Sequence, residues 1–286
     1  MISFTIIIRR RLLTIATAIS FLTVFFSGAA IANSDQRIIS TDAGVTDIIM
    51  ALKSNEQLVG IDVTSQQPGN TEVARVGYHR TLSAEGLLSL NPTMVIGSEH
   101  MGPPETLTAI KNANITLLQL PSAHDVETLK NNILTIGKAL NKSQQAENLL
   151  QIINTRTQQI QQQLLHKKSI AFLLQMNSRG LKLAGLNTVG NDVIQLLGGD
   201  NLGTHKGYQA ISAEALLELQ PDIIIIASED SSNSSADSLL KNNPLLIHTP
   251  AGKNHQIVSI NGRFLVAGIS IKSLKALATI SQTLQH

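Results

Sequence analysis

Short apolar runs alternate along the chain with segments whose apolar positions recur every three or four residues, the mark of strands alternating with amphipathic helices. Residues 37–41, 58–63, 94–96 and 115–120 read as strands. Val45, Ile48, Ile49 and Leu52 share one face of a helix over 45–53, and Pro103-Pro104 opens another over 105–112, where missing N–H groups cost little. The second half repeats the scheme, with strands at 169–174, 223–226 and 256–260 and helices at 190–197 and 271–284. Between the halves, 126–140 and 143–166 carry helical stripes such as Ala146, Leu149, Leu150 and Ile153, continued by Ile160, Leu164 and Leu165. The latter segment holds neither Gly nor Pro and is read as one long connecting helix, hence a stiff hinge. Residues 228–237 read as a polar surface loop.

One stretch occurs twice. Gly77-Tyr78, Ser83-Ala84-Glu85, Leu87-Leu88 and Pro92 return in the same order as Gly207-Tyr208, Ser212-Ala213-Glu214, Leu216-Leu217 and Pro221, and each copy runs into an apolar strand. A repeat at domain-sized spacing predicts two related lobes, since solenoid repeats are far shorter. The fold expected is α/β: two Rossmann-like lobes with parallel sheets, joined by one long connecting helix, with the ligand cleft between the lobes. The expected boundaries are 1–32 for a signal peptide, 33–125 for the N-terminal lobe, 126–167 for the connecting helical region and 168–286 for the C-terminal lobe.

Composition narrows the setting. Arg9, Arg10 and Arg11 precede an apolar run that ends near Ser27, and Ala30-Ile31-Ala32 supplies a small-x-small cleavage pattern, so cleavage is expected after Ala32. The run is short for a membrane span. Removing that leader leaves 19 basic and 20 acidic residues, a formal charge of −1 where the full chain has +2. No basic run survives, which disfavours nucleic acid as a partner. With no cysteine there is no disulfide framework, no thiolate metal site and no lipid-modified N-terminal cysteine. A soluble periplasmic protein, monomeric, is expected. Four of six phenylalanines fall in the leader, so the two repeated Gly-Tyr units hold half of the remaining aromatics, which points Tyr78 and Tyr208 towards ligand contact.

Enzyme signatures are missing from the sequence: no Gly-rich phosphate loop, no G-x-S-x-G elbow, no H-E-x-x-H helix, and no nucleophile–base pair with a motif around it. The eight histidines (His79, His100, His124, His166, His205, His248, His255 and His286) form no close ligand pair. What remains is two lobes with matched units, the plan of a non-enzymatic binder that closes on a small molecule.

The stretch Gly77-Tyr78-His79-Arg80-Thr81-Leu82-Ser83-Ala84-Glu85, together with Met101-Gly102-Pro103-Pro104, resembles the periplasmic haem-binding proteins of bacterial haem ABC importers, over essentially the whole mature chain. The Ser-Ala-Glu, Leu-Leu and Pro element is shared with cobalamin- and siderophore-binding relatives; Gly-Tyr-x-Arg with Met-Gly-Pro-Pro favours haem. The resemblance implies a carrier that binds haem (hemin) as transported ligand and hands it to an inner-membrane ABC permease dimer with its ATPase, with an outer-membrane haem receptor as source. The alternative is a corrinoid- or ferric-siderophore-binding protein of such an importer.

Tyr78 is implied as the axial ligand to haem iron. A phenolate is a hard anionic donor suited to ferric iron. A free phenol ionises only near pH ~10, so a neighbouring cation helps; Arg80 is that cation or a propionate partner. His79 is a candidate second ligand or propionate partner. Some family members use a histidine near the end of the second lobe's first strand, but the corresponding residues 175–180 contain none; Met176 is there a weak ligand or an apolar contact, and Arg179 a propionate candidate. Tyr208 is a candidate for the opposite wall, stacking on the porphyrin or ligating a second haem. Glu85 and Glu214 are implied as the carboxylates that dock on basic pockets of the two permease subunits.

Overall fold

The structure is a computed structural model and describes residues 36–69, 72–175, 180–228 and 236–284. The leader expected over 1–32 lies outside the described residues, as do Met176 and Arg179. Among the described residues no helix is long and apolar enough to cross a membrane.

The first sheet is wholly parallel. It is built from β1 (Ile38–Ser40), β2 (Leu58–Ile61), β3 (Ala74–Arg75), β4 (Met94–Ser98) and β5 (Thr116–Leu120), in the order β3-β2-β1-β4-β5. All residues of β1 and β4 are buried, as expected of parallel strands covered on both faces. Its helices are α1 (Ala43–Ala51), α2 (Ala84–Leu88) and α3 (Pro104–Asn112). Asp42 caps α1 by accepting from the Val45 N–H, and the proline pair opens α3 as expected.

The connecting region contains the two helical segments expected. It folds as α4 (Val126–Ala139), α5 (Ser143–Gln161) and a turn at Asn141, whose φ is 56°. The two helices pack together, and Gly137 is needed there: a Cβ on it would run into the Cβ of Ala146 at 2.5 Å. So α5 alone is the connector. It ends at Gln161, five residues before the expected His166, and the Leu165 side chain turns into the core.

The second lobe contains β6 (Ser169–Gln175), β7 (Leu181–Ala184), α6 (Val189–Leu197), β8 (Asp200–Asn201), β9 (Tyr208–Ile211), α7 (Ala213–Leu219), β10 (Ile223–Ser228), α8 (Ala236–Asn242), α9 (Pro250–Lys253), β11 (Ile257–Asn261) and α10 (Ile271–Thr283). Its sheet order is β11-β10-β6-β7-β9, with β8 beside β6. The core β11-β10-β6 is parallel, as expected; β7 and β9 add an antiparallel ribbon that makes this sheet mixed. Residues 236 and 237, read as loop, begin α8.

The repeat is geometric as well as textual. Ser83 and Ser212 each cap a short helix by accepting from the backbone N–H three residues on, and Glu85 and Glu214 fall in the first turn. Each unit leaves its helix through a left-handed residue before the proline, Asn91 at φ 47° and Gln220 at φ 46°. Thr93 then accepts from the Arg37 N–H at 3.0 Å, and Asp222 from the Ser169 N–H at 2.8 Å. In each lobe the residue after the proline thus locks its strand to the entry of the lobe's first strand.

One apolar cluster runs through both lobes, from Ile38, Ile49 and Ile61 through Ile133, Ile153 and Ile160 to Phe172, Leu274 and Leu277. Helix α10 packs on both α5 and α1. The hinge is therefore a shared core as well as a helix.

Candidate functional site

In open parallel sheets, ligands sit outside the carboxyl ends of the strands. At those ends of the first sheet lie Asp62 after β2, the Tyr78 loop after β3, Glu99 and His100 after β4, and Ser122 and His124 after β5.

The Tyr78 loop is clamped from two sides. Gly77 takes φ 91°, which only glycine adopts cheaply; space is not the issue, because a Cβ there would meet nothing within 4 Å. Its carbonyl accepts from the Val63 N–H at 2.9 Å. On the other side Gly102 donates its N–H to the His79 carbonyl at 2.9 Å and accepts from the Leu82 N–H at 2.8 Å. The two halves of the sequence signature, Gly-Tyr-x-Arg and Met-Gly-Pro-Pro, are thereby hydrogen-bonded to each other. Met101 sinks into a small core with Leu82, Leu87 and Val95, and Thr106 donates its hydroxyl to the Leu82 carbonyl at 2.8 Å.

On this rigid loop Tyr78 is 42% exposed, while Arg80 beside it is also exposed and His79 is only 4% exposed. The His79 and Tyr78 rings are in contact, with centroids 4.2 Å apart and planes at 47°. His79 Nδ1 lies 3.3 Å from Asp62 Oδ2. The structure thus holds His79 against the Tyr78 ring, engaged with a carboxylate, and presents Tyr78 and Arg80 to solvent.

A row of polar side chains leads from this loop to the second lobe. His100 Nε2 is 3.0 Å from Ser122 Oγ, and Ser122 donates its N–H to Glu99 at 3.1 Å. Burial, then the nearby Arg80 charge, push the His100 imidazole down, while the Ser122 hydrogen bonds hold Glu99 below the usual carboxylate range. His124 reaches Asp192 on α6, and Asp192 is near enough to Tyr208 to affect its ionisation. None of Asp62, Glu99, His100, His124 and Asp192 was singled out as a site residue in the sequence. The available signal was position alone, each of the first four lying just past a strand's carboxyl end.

Tyr208 departs from its counterpart. It opens strand β9 and is partly buried against the shared core, and burial pushes its phenol up. Glu85 and Glu214 are exposed at the two matched helix starts. Among the described residues no group of three or more His, Cys, Asp or Glu side chains converges to hold a metal ion. A cavity of about 530 Å³ lined by Leu164, His166, Lys168, Asp222 and Gln256 sits where β6, β10 and β11 begin, the amino edge of the second sheet, so it is not the cleft.

A match to the periplasmic binding protein family covers residues 38–263. The chain is similar to the periplasmic heme binding protein HutB of Vibrio cholerae, at 35% identity over 88% of this chain and 100% of that one, with a TM-score of 0.80. It is similar as well to a periplasmic heme binding protein from Pseudomonas aeruginosa, at 32% identity over 87% and 92% of the two chains, TM-score 0.76. Among sequences, the vitamin B12-binding protein of Vibrio cholerae is 23% identical over 201 residues, 69% of this chain and 72% of that protein. The signature pairing, the two matched lobes and these likenesses agree: the chain belongs to the periplasmic binding protein family.

Proposed function

We propose that this protein is a periplasmic haem carrier in which the Tyr78 phenol ligates haem iron and Arg80 supports it, feeding an ABC permease and its ATPase. The observation that carries the reading is the exposed Tyr78 on a loop clamped by Gly102, with a cation two residues away. A hard oxygen donor held in place beyond the carboxyl ends of the first sheet suits ferric iron, and a guanidinium favours the phenolate or binds a propionate. The two similar structures described as periplasmic heme-binding proteins support the same cargo.

Tyr208 has a lesser part in this reading. Its ring packs on the shared core and burial pushes its phenol up, so it contributes ring surface rather than an iron ligand. Glu85 and Glu214, exposed on equivalent helix starts, are the permease contacts, a symmetric pair for a dimeric partner. The leader over residues 1–32 directs export, and the protein acts as a carrier without catalysis.

The second reading, a corrinoid carrier, is favoured by the sequence likeness to a vitamin B12-binding protein. Parallel titrations with hemin and cyanocobalamin separate the two. Saturable, one-to-one uptake of hemin with none of cobalamin is expected; the reverse would overturn the haem reading.

A further inference from the structure

Tyr78 needs more than a fixed backbone to present its oxygen, because two side-chain torsions still decide where the ring points. Its ring is nearly half exposed, and the aromatic surface it rests on is His79. The orientation of His79 therefore matters, and the structure shows what fixes it.

Asp62 is fully buried at the end of β2. Its Oδ2 accepts from His79 Nδ1 at 3.3 Å and from the Thr64 hydroxyl at 2.7 Å. Its Oδ1 accepts from the Ser65 N–H at 3.1 Å and the Ser65 hydroxyl at 2.6 Å. Ser65 continues into a buried hydroxyl chain, 2.7 Å to Thr46 and 2.7 Å onward to Ser40 on β1. The Asp62 carbonyl and the Ser65 carbonyl are both held by Arg75 Nη1, at 2.6 and 2.7 Å. A carboxylate with this many donors cannot swing, so neither can the imidazole it holds.

We propose that Asp62 is a positioning residue for Tyr78, acting through His79: the buried Asp62–His79 pair sets the face against which the Tyr78 ring rests. The proposal rests on the reading of Tyr78 as the iron ligand for its purpose, but not for its geometry. In metal sites such supporting partners typically matter by ~10–100-fold in affinity.

The chain has only two tyrosines and no tryptophan, so ring-labelled tyrosine gives two NMR signals that Tyr78→Ala assigns. In ligand-free protein, Asp62→Ala should shift and broaden the Tyr78 ring signals while leaving those of Tyr208 in place. Asp62→Asn, which keeps one acceptor oxygen for His79, should restore them. In the hemin complex, dissociation should speed up by roughly 10–100-fold in Asp62→Ala and return towards wild type in Asp62→Asn. Because Asp62 acts through His79, adding Asp62→Ala to His79→Phe should do nothing further to the Tyr78 signals. Should Asp62→Ala fail to fold, His79→Phe carries the same test. Unchanged Tyr78 signals in a folded Asp62→Ala or His79→Phe protein would overturn the proposal. A moved ring in a protein that takes up no hemin would uphold the positioning and sink the haem reading instead.

Discussion

His124 and Asp192 stand on different lobes and meet across the gap, with Nδ1 of the histidine 2.7 Å from Oδ2 of the aspartate. They have company. Lys272 on α10 pairs with Asp47 on α1 at 2.7 Å, and the backbone of Ala123 exchanges hydrogen bonds with Ala267 and Ile269 at 3.1 and 2.7 Å. With a shared apolar core beneath, these contacts make the two lobes one mechanical unit. Cargo exchange is expected to proceed with small lobe movement.

The histidine end of the first pair is 62% exposed, so its worth is modest. His124→Ala is expected to cost about 1 kcal/mol of unfolding free energy. A double-mutant cycle with Asp192→Asn should return most of that as coupling. Independent, additive effects would show that the contact does not tie the lobes.

Removing Lys272 should matter more and depend on pH. The Asp47 side chain is 6% exposed, and burial pushes its carboxyl up even though Lys272 pulls it down. A carboxyl whose folded value is raised favours the fold fully below the unfolded value near 3.8 and loses that contribution as pH rises through the folded value. Lys272→Met raises it further. Its cost, ~1–3 kcal/mol near neutral pH, should therefore shrink as pH falls towards 4. Urea melts across that range check this, and a cost that grows in acid would contradict it.

Gly97 on β4 has no room for a side chain. An added Cβ would meet the Thr41 hydroxyl and come within 2.7 Å of Met101 Sδ. Gly97→Ala should destabilise by ~1–3 kcal/mol and, by displacing Met101 next to Gly102, loosen the clamp on the Tyr78 loop. Hemin affinity should fall along with the melting temperature. Full affinity in Gly97→Ala would separate that clamp from binding.

Glu85→Ala and Glu214→Ala should leave hemin binding and stability near wild type, since both side chains are exposed. Delivery to the permease, read as hemin-dependent ATPase stimulation in vesicles, should drop in each and further in the double variant. Undiminished stimulation in the double variant would remove these residues from the docking surface.

Much of this architecture could be read from the chain. Apolar runs such as Ile223–Ile226 placed the buried strands, and the serine and proline punctuation of the repeat located both short helices with their caps. The antiparallel ribbon was not legible because each of its strands has only 4 residues and β9 exposes Gln209 and Ala210 in succession, which breaks the alternation. The same ribbon sets Tyr208 apart from Tyr78, since pairing with Ala184 on β7 draws it into a strand. The end of α5 was hidden by Leu164 and Leu165, which prolong the helical stripe although the chain has already turned. At the site, Tyr78 and Arg80 were visible through their motif. Asp62 was not, because its importance comes from where the fold brings His79.

Tyr78 is proposed to hold the haem iron. The direct measurement is a visible-absorption titration of the mature protein with hemin, beside Tyr78→Ala and Tyr208→Ala. The wild-type protein should show saturable binding with a high-spin ferric spectrum and a tyrosinate charge-transfer band. Tyr78→Ala should abolish the band and Tyr208→Ala should keep it. A band that survives Tyr78→Ala, or disappears only in Tyr208→Ala, would contradict it.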